Sequence, residues 1–461
     1  MLPAAQSDKF TPPPYLVEFA HFLCALRYQD LPRQVADRCK RLIADCSAVI
    51  CAGMQSTEMK AFSTAYLKNA PAGVSWVIGA GRKAAAREAG FLNGIAGTWH
   101  DFDEGSTVGY SHPGIQVIPA ALAVAQELGA GGRDLLAAVV CGYETCARIG
   151  MASRMRVSVH PHGTCGTVGA AVAVARLKGF DEARMRQVMN IAATMAMATN
   201  RQAMLDEATV RNVYTGHSAL AGQVAAGLAE AGITGQRDGI GFTYGTVIAD
   251  GFDPQRFVAG LGSDWLMPQG YFKLHPAGRY SHAAIDALMD ALARLPERRI
   301  DAGSIERIEV KAFQMAALLS GRNVTTSFGS KFSIPFALAT ILVHGRSGID
   351  CFDERAVANP AIQALAAKVD VAEEPAYTRA YPGQQLCDVV IRLKGGKTLG
   401  GRCEVMKGEP ANPHRAEEVQ QKFFDLTTPV WGAQGARRLY DALMALEEIP
   451  DLRAFTSDIV L

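Results

Sequence analysis

The chain has 461 residues, with 46 Lys or Arg against 45 Asp or Glu, so its formal net charge is +1. A chain of this length is expected to form two domains, with enough buried core to need no disulfide bonds. The near-zero net charge predicts no nucleic-acid partner and no binding to a membrane surface.

The first 260 residues follow a helical pattern rich in Ala and Leu, with Gly and Pro mostly at the joints. Capping chemistry marks three helix starts, at Ser56, Gly132 and Asp181. The helix that begins at Gly216 is rich in small residues, which permits close packing between helices. The predicted helices cover residues 14–28, 31–51, 57–69, 84–97, 115–128, 133–149, 167–177, 181–198 and 216–231.

The pattern changes after residue 260, where short segments alternate or are rich in β-branched residues, as strands are. Predicted strands cover residues 306–310, 388–393 and 397–403, and predicted helices cover 281–294, 332–343, 416–426 and 435–446. The sequence therefore predicts a mainly α protein. A large all-helical domain is expected over residues 1–264 and a smaller α+β domain over residues 265–424.

Ten cysteines are spread along the chain without a Cys-x-x-Cys pair or a compact disulfide framework. Several lie in apolar helical patterns, which is typical of reduced cysteines in the core of a cytosolic protein. No signal-peptide pattern is visible, and no apolar stretch reaches the ~18 residues that span a bilayer. We therefore expect a cytoplasmic protein.

The densest group of ionisable residues lies between two Ala-rich helical patterns. It contains the carboxylates Asp101, Asp103 and Glu104 and the imidazoles His100 and His112. Acidic residues are costly to bury without partners, so a cluster between two core helices predicts a functional site. The alternative is that the acids only cap turns of a polar loop.

These residues and later motifs resemble the MmgE/PrpD family, over at least residues 12–345. The resemblance implies a cofactor-independent enzyme that removes a proton beside a carboxylate, acts as a homodimer and uses no metal. It also implies that residues 425–461 return to the helical domain. The motifs are Asp101-Phe102-Asp103-Glu104, His112-Pro113-Gly114, Gly142-Tyr143-Glu144, His160-Pro161-His162-Gly163-Thr164, residues 216–235, Lys273-Leu274-His275-Pro276 and Lys331-Phe332-Ser333-Ile334-Pro335.

Three functions are compatible with this resemblance. The first is a lyase resembling 2-methylcitrate dehydratase, acting on a small di- or tricarboxylic acid. The second is an isomerase that epimerises its substrate, as iminodisuccinate epimerase does. The third is a binding or scaffold protein with weakened catalysis.

Proton abstraction beside a carboxylate needs a base, an acid and cations that hold the substrate. His112 and His160 are the expected acid and base, because the imidazole pKa lies near ~6.5 and a neighbouring carboxylate fixes its tautomer. Asp101 and Lys273 complete the expected catalytic set. The expected substrate-binding residues are Asp103, His162, Arg211, His275 and Arg279.

Metal binding is the rival use of the same residues. His160 and His162, with Asp101 or Asp103, could hold zinc or iron. We expect no metal, since the resembled family works without one. A nucleotide cofactor and hydrolase chemistry are not expected either, because the chain has no P-loop, dinucleotide fingerprint or nucleophile elbow.

Three positions depart from the resembled family. Arg211 stands where the family has a lysine, and arginine cannot exchange a proton near neutral pH. Gly278 stands where the decarboxylase branch has a histidine, and that branch's tyrosine is missing near Leu319. These departures disfavour cis-aconitate decarboxylation, and two of them, at Arg211 and Gly278, motivate the scaffold alternative.

Overall fold

The computed structural model describes residues 11–295 and 297–453. It is 58% helical and 10% strand, which confirms the prediction of a mainly α protein with a smaller α+β part. Residues 1–10 and 454–461, at the ends of the expected helical domain, lie outside the described residues. The longer helices are Pro14–Ala25, Arg33–Met54, Thr57–Leu67, Ala86–Gly97, Pro113–Leu128, Gly132–Ala152, Cys165–Leu177, Glu182–Thr194, Val213–Glu230, His282–Ala293, Ile334–His344 and Ala416–Met444.

Shorter elements connect the long helices. Short helices are Gln202–Leu205, Gly239–Phe242, Pro254–Val258, Gln314–Ala317, Ser327–Ser330, Glu354–Val357, Pro360–Ala366 and Pro375–Ala380. Two small antiparallel strand pairs join Ser75–Val77 to Arg82–Ala84 and Ser153–Met155 to Ala249–Phe252.

The larger core is built around the helix Cys165–Leu177, whose residues 165–175 are all buried. It packs against Pro113–Leu128, Gly132–Ala152, Glu182–Thr194 and Val213–Glu230. A helix covered on every side must be apolar all round, and the run of Val, Ala and Gly in this segment meets that requirement. This helix therefore lies at the centre of the larger core, in contact with four other helices.

Small residues let the helix Val213–Glu230 approach its neighbours closely, as its composition predicts. A Cβ atom at Gly216 would lie 2.7 Å from the backbone oxygen of Phe91, and one at Gly222 would lie 2.6 Å from Cβ of Ala170. Neither distance is possible for a real side chain without movement of the backbone.

The helix Gly132–Ala152 is long and apolar enough to cross a membrane, contrary to the sequence-based expectation that no stretch would be. However, 94% of its most apolar window is buried inside the protein. It is therefore a core helix, and its apolarity is satisfied by packing rather than by lipid.

The smaller core rests on one four-stranded sheet with the strand order Val369–Glu373, Ile305–Ala312, Cys387–Leu393, Thr398–Cys403. The first pair is parallel and the other two are antiparallel. The helix His282–Ala293 packs on the last two strands. The edge strand Val369–Glu373 is absent from the sequence-based expectation, because two of its five residues are acidic and it is short.

The end of the chain differs from the two expected helices 416–426 and 435–446. A single element, Ala416–Met444, contains the first and all but the last two residues of the second, with a break in helical geometry at Gly432. It packs along Arg33–Met54, and its core residues from Val419 onward belong to the larger core. The expected domain boundaries at 264 and 424 stay a prediction.

Three features of this fold bring the predicted site residues together. The helices Pro113–Leu128, Cys165–Leu177 and Val213–Glu230 pack on one another, and each begins directly after a loop that carries site residues. In addition, an antiparallel bridge joins Gly105 to Tyr271. This bridge places the segment after Tyr271 beside the acidic loop.

Candidate active site

Asp101 is the charged centre of the site, in the loop before the helix Pro113–Leu128, and is 1% exposed. Its φ of 49° is a left-handed conformation that Asp adopts more readily than most residues and that is frequent at functional sites. Oδ1 accepts a hydrogen bond from Nη2 of Arg211. The backbone oxygen and Oδ2 accept hydrogen bonds from Nζ of Lys273 at 2.9 and 3.0 Å. Asp101 thus holds two buried cations.

Asp101 and Asp103 both remain ionised despite complete burial. Burial acts to raise the pKa of Asp101, but Lys273 and Arg211 outweigh it and hold the pKa below its usual range. Burial likewise opposes ionisation of Asp103, yet Lys273 and His112 hold its pKa well below the usual range. The acidic loop therefore carries two negative charges at neutral pH.

A cavity lies beside the acidic loop, and its lining includes Asp101, His112 and Lys273. Oxygen atoms lie behind the His112 ring. Its Nδ1 lies 2.6 Å from the backbone oxygen of Glu104 and 2.8 Å from Oδ2 of Asp103. Two acceptors at Nδ1 favour the tautomer that carries its proton there, which leaves the Nε2 lone pair to accept a proton. The Asp103 carboxylate stabilises the imidazolium that forms, as the acid does in a catalytic triad.

His160 also lines the cavity, but its environment favours the neutral ring. Nδ1 accepts a hydrogen bond from the backbone N–H of His162 at 3.1 Å, and Nε of Arg211 lies 3.3 Å from Nε2. Burial, followed by His162 and Arg211, holds the pKa of His160 well below the usual value. The ring is therefore suited to hydrogen bonding in its neutral form, and poorly suited to accept a proton and carry the resulting charge.

Asp103 and His162, both expected to bind substrate, lie behind the cavity wall. Each is completely buried, and Nε2 of His162 is 3.5 Å from Oδ2 of Asp103. The His162 ring lies 4.5 Å from the ring of His112 and 4.7 Å from that of His160. These two residues therefore contact the cavity-lining histidines from behind and do not line the cavity themselves.

The acidic loop is held from the far side by the last long helix. Nζ of Lys422 donates a hydrogen bond to the backbone oxygen of Phe102 at 2.7 Å. Glu104 points away from the cavity, and its Oε1 accepts a hydrogen bond from the backbone N–H of Gly114 at 2.6 Å. Burial and the neighbouring Asp103 raise the pKa of Glu104 to about 8, so this carboxyl is protonated at neutral pH.

The segment after Tyr271 contributes Lys273 and Arg279 to the cavity. Arg279 is paired, since its Nη2 lies 2.8 Å from Oε1 of Glu409. His275 does not line the cavity, and its ring lies 5.2 Å from that of His282. Burial, followed by Arg279, lowers the pKa of His275 to about 4. His275 therefore has no direct contact to offer a ligand in this cavity.

Four tyrosines that the sequence interpretation missed also line the cavity: Tyr110, Tyr271, Tyr280 and Tyr381. Burial holds the pKa of Tyr271 and Tyr381 well above the usual value, so both keep their hydroxyl protons and can donate hydrogen bonds. Tyr271 and Tyr280 lie close to Lys273 in the sequence, so the cationic pattern of that segment could have pointed to them. Tyr381 has no chemical motif beside it in the sequence.

Gly278 and Leu319, the two departures from the decarboxylase branch, both line the cavity. A Cβ atom at Gly278 would lie 3.0 Å from Cδ1 of Phe332, which is tighter than nearly all real contacts. A histidine here would require Phe332 to move. Gly278, Leu319 and Phe332 therefore give this part of the cavity an apolar wall.

The site as a whole combines a buried base, two ionised acids and a set of cations. Such an arrangement can remove a proton from the carbon beside a carboxylate and stabilise the negative charge that develops. These features are those expected of an enzyme site for proton transfer on a small acidic molecule.

The comparisons with known proteins agree with this class of enzyme. The MmgE/PrpD N-terminal domain matches residues 17–251 and the C-terminal domain matches residues 275–448. The chain therefore belongs to the MmgE/PrpD family, as its motifs predict.

Curated relatives match almost the whole chain at low identity. Cis-aconitate decarboxylase-like protein oryM of Aspergillus oryzae is 25% identical, over 94% of this chain and 95% of the relative. Human cis-aconitate decarboxylase is 24% identical, over 95% and 93% of the two chains. The cis-aconitate decarboxylase of Aspergillus terreus is 24% identical, over 94% of each. Since decarboxylases of this kind are lyases, the relatives indicate a lyase-type enzyme.

Asp103, His112 and His162 form the group that comes nearest to a metal site in the described residues, with ligand atoms within 4.8 Å of one another. However, Nζ of Lys273 lies 3.9 Å from Oδ1 of Asp103, and a fixed ammonium so close opposes a divalent cation. We expect extended EDTA treatment to leave activity intact and metal analysis to find no stoichiometric ion. Loss of activity that zinc or iron restores would contradict this expectation.

Proposed function

We propose that this protein is a cofactor-independent lyase that removes water from a small hydroxylated di- or tricarboxylic acid, with a 2-methylcitrate-like acid as the first candidate. The observation that carries the proposal is His112, which lines the cavity with the Asp103 carboxylate 2.8 Å behind its Nδ1. A histidine backed in this way can take a proton from carbon and stabilise the charge it gains.

The proposal assigns roles to His112, Lys273, His160 and the cavity-lining tyrosines. Nε2 of His112 removes the proton beside a substrate carboxylate. Lys273, held in place by Asp101, donates the proton that lets the hydroxyl leave as water. His160 and the protonated tyrosines supply hydrogen bonds to the substrate. That the enzyme is a homodimer stays a prediction from the family, and that it is cytoplasmic stays a prediction from the sequence.

Dehydration is favoured over decarboxylation by the wall at Gly278 and Leu319. The resemblance implies a histidine at the first position and a tyrosine near the second in the decarboxylase branch, where this protein has Gly278 and Leu319. The relatives at 24–25% identity are named as decarboxylases or decarboxylase-like proteins. Gly278 and Leu319 are the two cavity residues at which this chain departs from what the resemblance implies for that branch.

Incubation in D2O with candidate acids tests the proposal. We expect deuterium exchange together with formation of an alkene, followed by NMR and mass spectrometry, with citrate, 2-methylcitrate and cis-aconitate compared. Exchange with inversion and no alkene would favour the epimerase, to which two cavity-lining imidazoles, His112 and His160, lend support. Release of CO2 would identify a decarboxylase, and no exchange with any acid would favour a scaffold.

Arg211 tests whether the family's lysine position exchanges protons in this chain. Its guanidinium contacts Asp101, His160 and the backbone oxygen of Thr98, so its donors already serve the protein. We expect Arg211→Lys to keep the Asp101 pair and lose the His160 contact, with a fall in kcat of about 10-fold, the size expected when one positioning hydrogen bond is lost. An increase in kcat would instead show that lysine restores a proton-transfer group.

A further inference from the structure

The cations that line the cavity differ in whether the protein already neutralises them. Arg211 and Lys273 share Asp101, and Nζ of Lys273 also lies 3.9 Å from Oδ1 of Asp103. Arg279 pairs with Glu409, so these three cations face three carboxylates. Arg201 lines the same cavity, and no carboxylate of the described residues lies within ion-pair distance of it. The cavity therefore has one positive charge in excess at Arg201.

The backbone fixes Arg201 beside the catalytic loop. An antiparallel bridge joins Val159 to Asn200, and the N–H of Arg201 donates a hydrogen bond to the backbone oxygen of Ser158 at 2.9 Å. On the other side of this bridge, the N–H of His160 donates to the backbone oxygen of Thr199 at 3.1 Å. The same pair of hydrogen-bonded backbone segments therefore holds both Arg201 and His160.

The guanidinium of Arg201 is partly withdrawn from water without compensation. Its Nε is buried and has no hydrogen-bond partner in the described structure. Its Cζ lies 5.9 Å from the centre of the Tyr280 ring. A half-buried cation that lacks an anion costs free energy, and an arginine fork fits a carboxylate with two parallel hydrogen bonds.

Arg201 stands where the cavity opens. It lines both the cavity and a wider outer groove, as do Tyr110, Tyr280 and Tyr381. The reacting end of the substrate must reach His112 and Lys273, which line the cavity but not the outer groove. A group bound to Arg201 is therefore at the end of the substrate nearest the entrance.

From this placement we infer that Arg201 binds the substrate carboxylate at the cavity entrance, so that the substrate carries a carboxylate remote from the carbon that loses its proton. This inference rests on the proposed function and deepens it, because it makes Arg201 a specificity determinant for di- and tricarboxylic acids. A monocarboxylic acid would leave the arginine unpaired and would be rejected.

Binding of tricarballylate, a tricarboxylate without a hydroxyl group, tests the inference without turnover. By isothermal titration calorimetry, Arg201→Gln should raise the Kd for tricarballylate about 10- to 100-fold, the loss expected for hydrogen bonds between charged groups. Arg201→Lys, which keeps the charge but not the fork, should show a smaller loss. Arg256→Gln is the matched control, since Arg256 lines the outer groove but not the cavity and should leave the Kd unchanged.

Circular dichroism checks that the variants are folded. If Arg201→Gln is not folded, the Kd for tricarballylate is compared between Arg201→Lys and Arg256→Lys instead. An unchanged Kd in a folded Arg201 variant would overturn the inference. Equal losses at Arg201 and Arg256, or no binding of tricarballylate by the unmodified protein, would overturn it as well. Arg201-dependent binding without turnover of any acid would support the inference while the proposed dehydratase function fails.

Discussion

Replacing His112 with Asn should lower kcat about 10²–10⁴-fold, the usual contribution of a general acid or base. Asn places an N–H near the position of Nδ1, so the hydrogen bond to the backbone oxygen of Glu104 can survive while the proton acceptor at Nε2 is lost. Steady-state kinetics with the acid identified by the D2O experiment provide the measurement. KM should change much less than kcat, because the substrate is held mainly by other groups.

His217→Asn is the matched control for this substitution. His217 lies outside the cavity, where its Nε2 is 3.1 Å from the backbone oxygen of Met195. Turnover should therefore stay near that of the unmodified protein. A His112→Asn variant with near-normal turnover would remove His112 from the mechanism.

Replacing Asp101 with Asn should produce the largest loss of stability. The substitution leaves Arg211 and Lys273 buried without their shared carboxylate, and breaking a buried ion pair costs about 3–5 kcal/mol. Thermal and denaturant unfolding followed by circular dichroism measure the loss. Activity should fall as well, because Asp101 holds the proposed proton donor Lys273.

Asp350→Asn gives the comparison for an exposed pair. Asp350 is ion-paired with Arg346, and both side chains are more than half exposed, at 53% and 55%. Such a pair contributes about 0–1 kcal/mol, so its removal should change the unfolding midpoint little. Similar losses at positions 101 and 350 would show that the buried network does not stabilise the fold.

Acid should reduce the difference between Asp101→Asn and the unmodified protein. Burial acts to raise the folded-state pKa of Asp101, but Lys273 and Arg211 lower it below the unfolded value. The ionised Asp101 therefore stabilises the fold in full above the unfolded pKa near ~3.9. That contribution is lost as the pH falls through the folded pKa. Unfolding measured at neutral pH and again at acid pH should therefore show a smaller gap in acid.

The helical part of the fold could be predicted because its determinants are local. The Ala-rich periodicity of residues 165–177 and the capping side chains of Ser56 and Asp181 act within one turn of chain. Ser56 accepts a hydrogen bond from the N–H of Met59, and Asp181 accepts one from the N–H of Arg184. The same reasoning could not find the strand Val369–Glu373, since its pairing partner is distant in sequence.

The sequence by itself determined the mainly α fold, the family and the set of ionisable residues from which the site is made. Only the tertiary structure decided which of them face the cavity: His112, His160 and Lys273 do, whereas Asp103 lies behind His112. It also brought in Arg201 and the tyrosines. The physical reason is that a side chain's direction and pairing depend on contacts such as the bridge from Gly105 to Tyr271, which join segments with no periodic relation in the sequence.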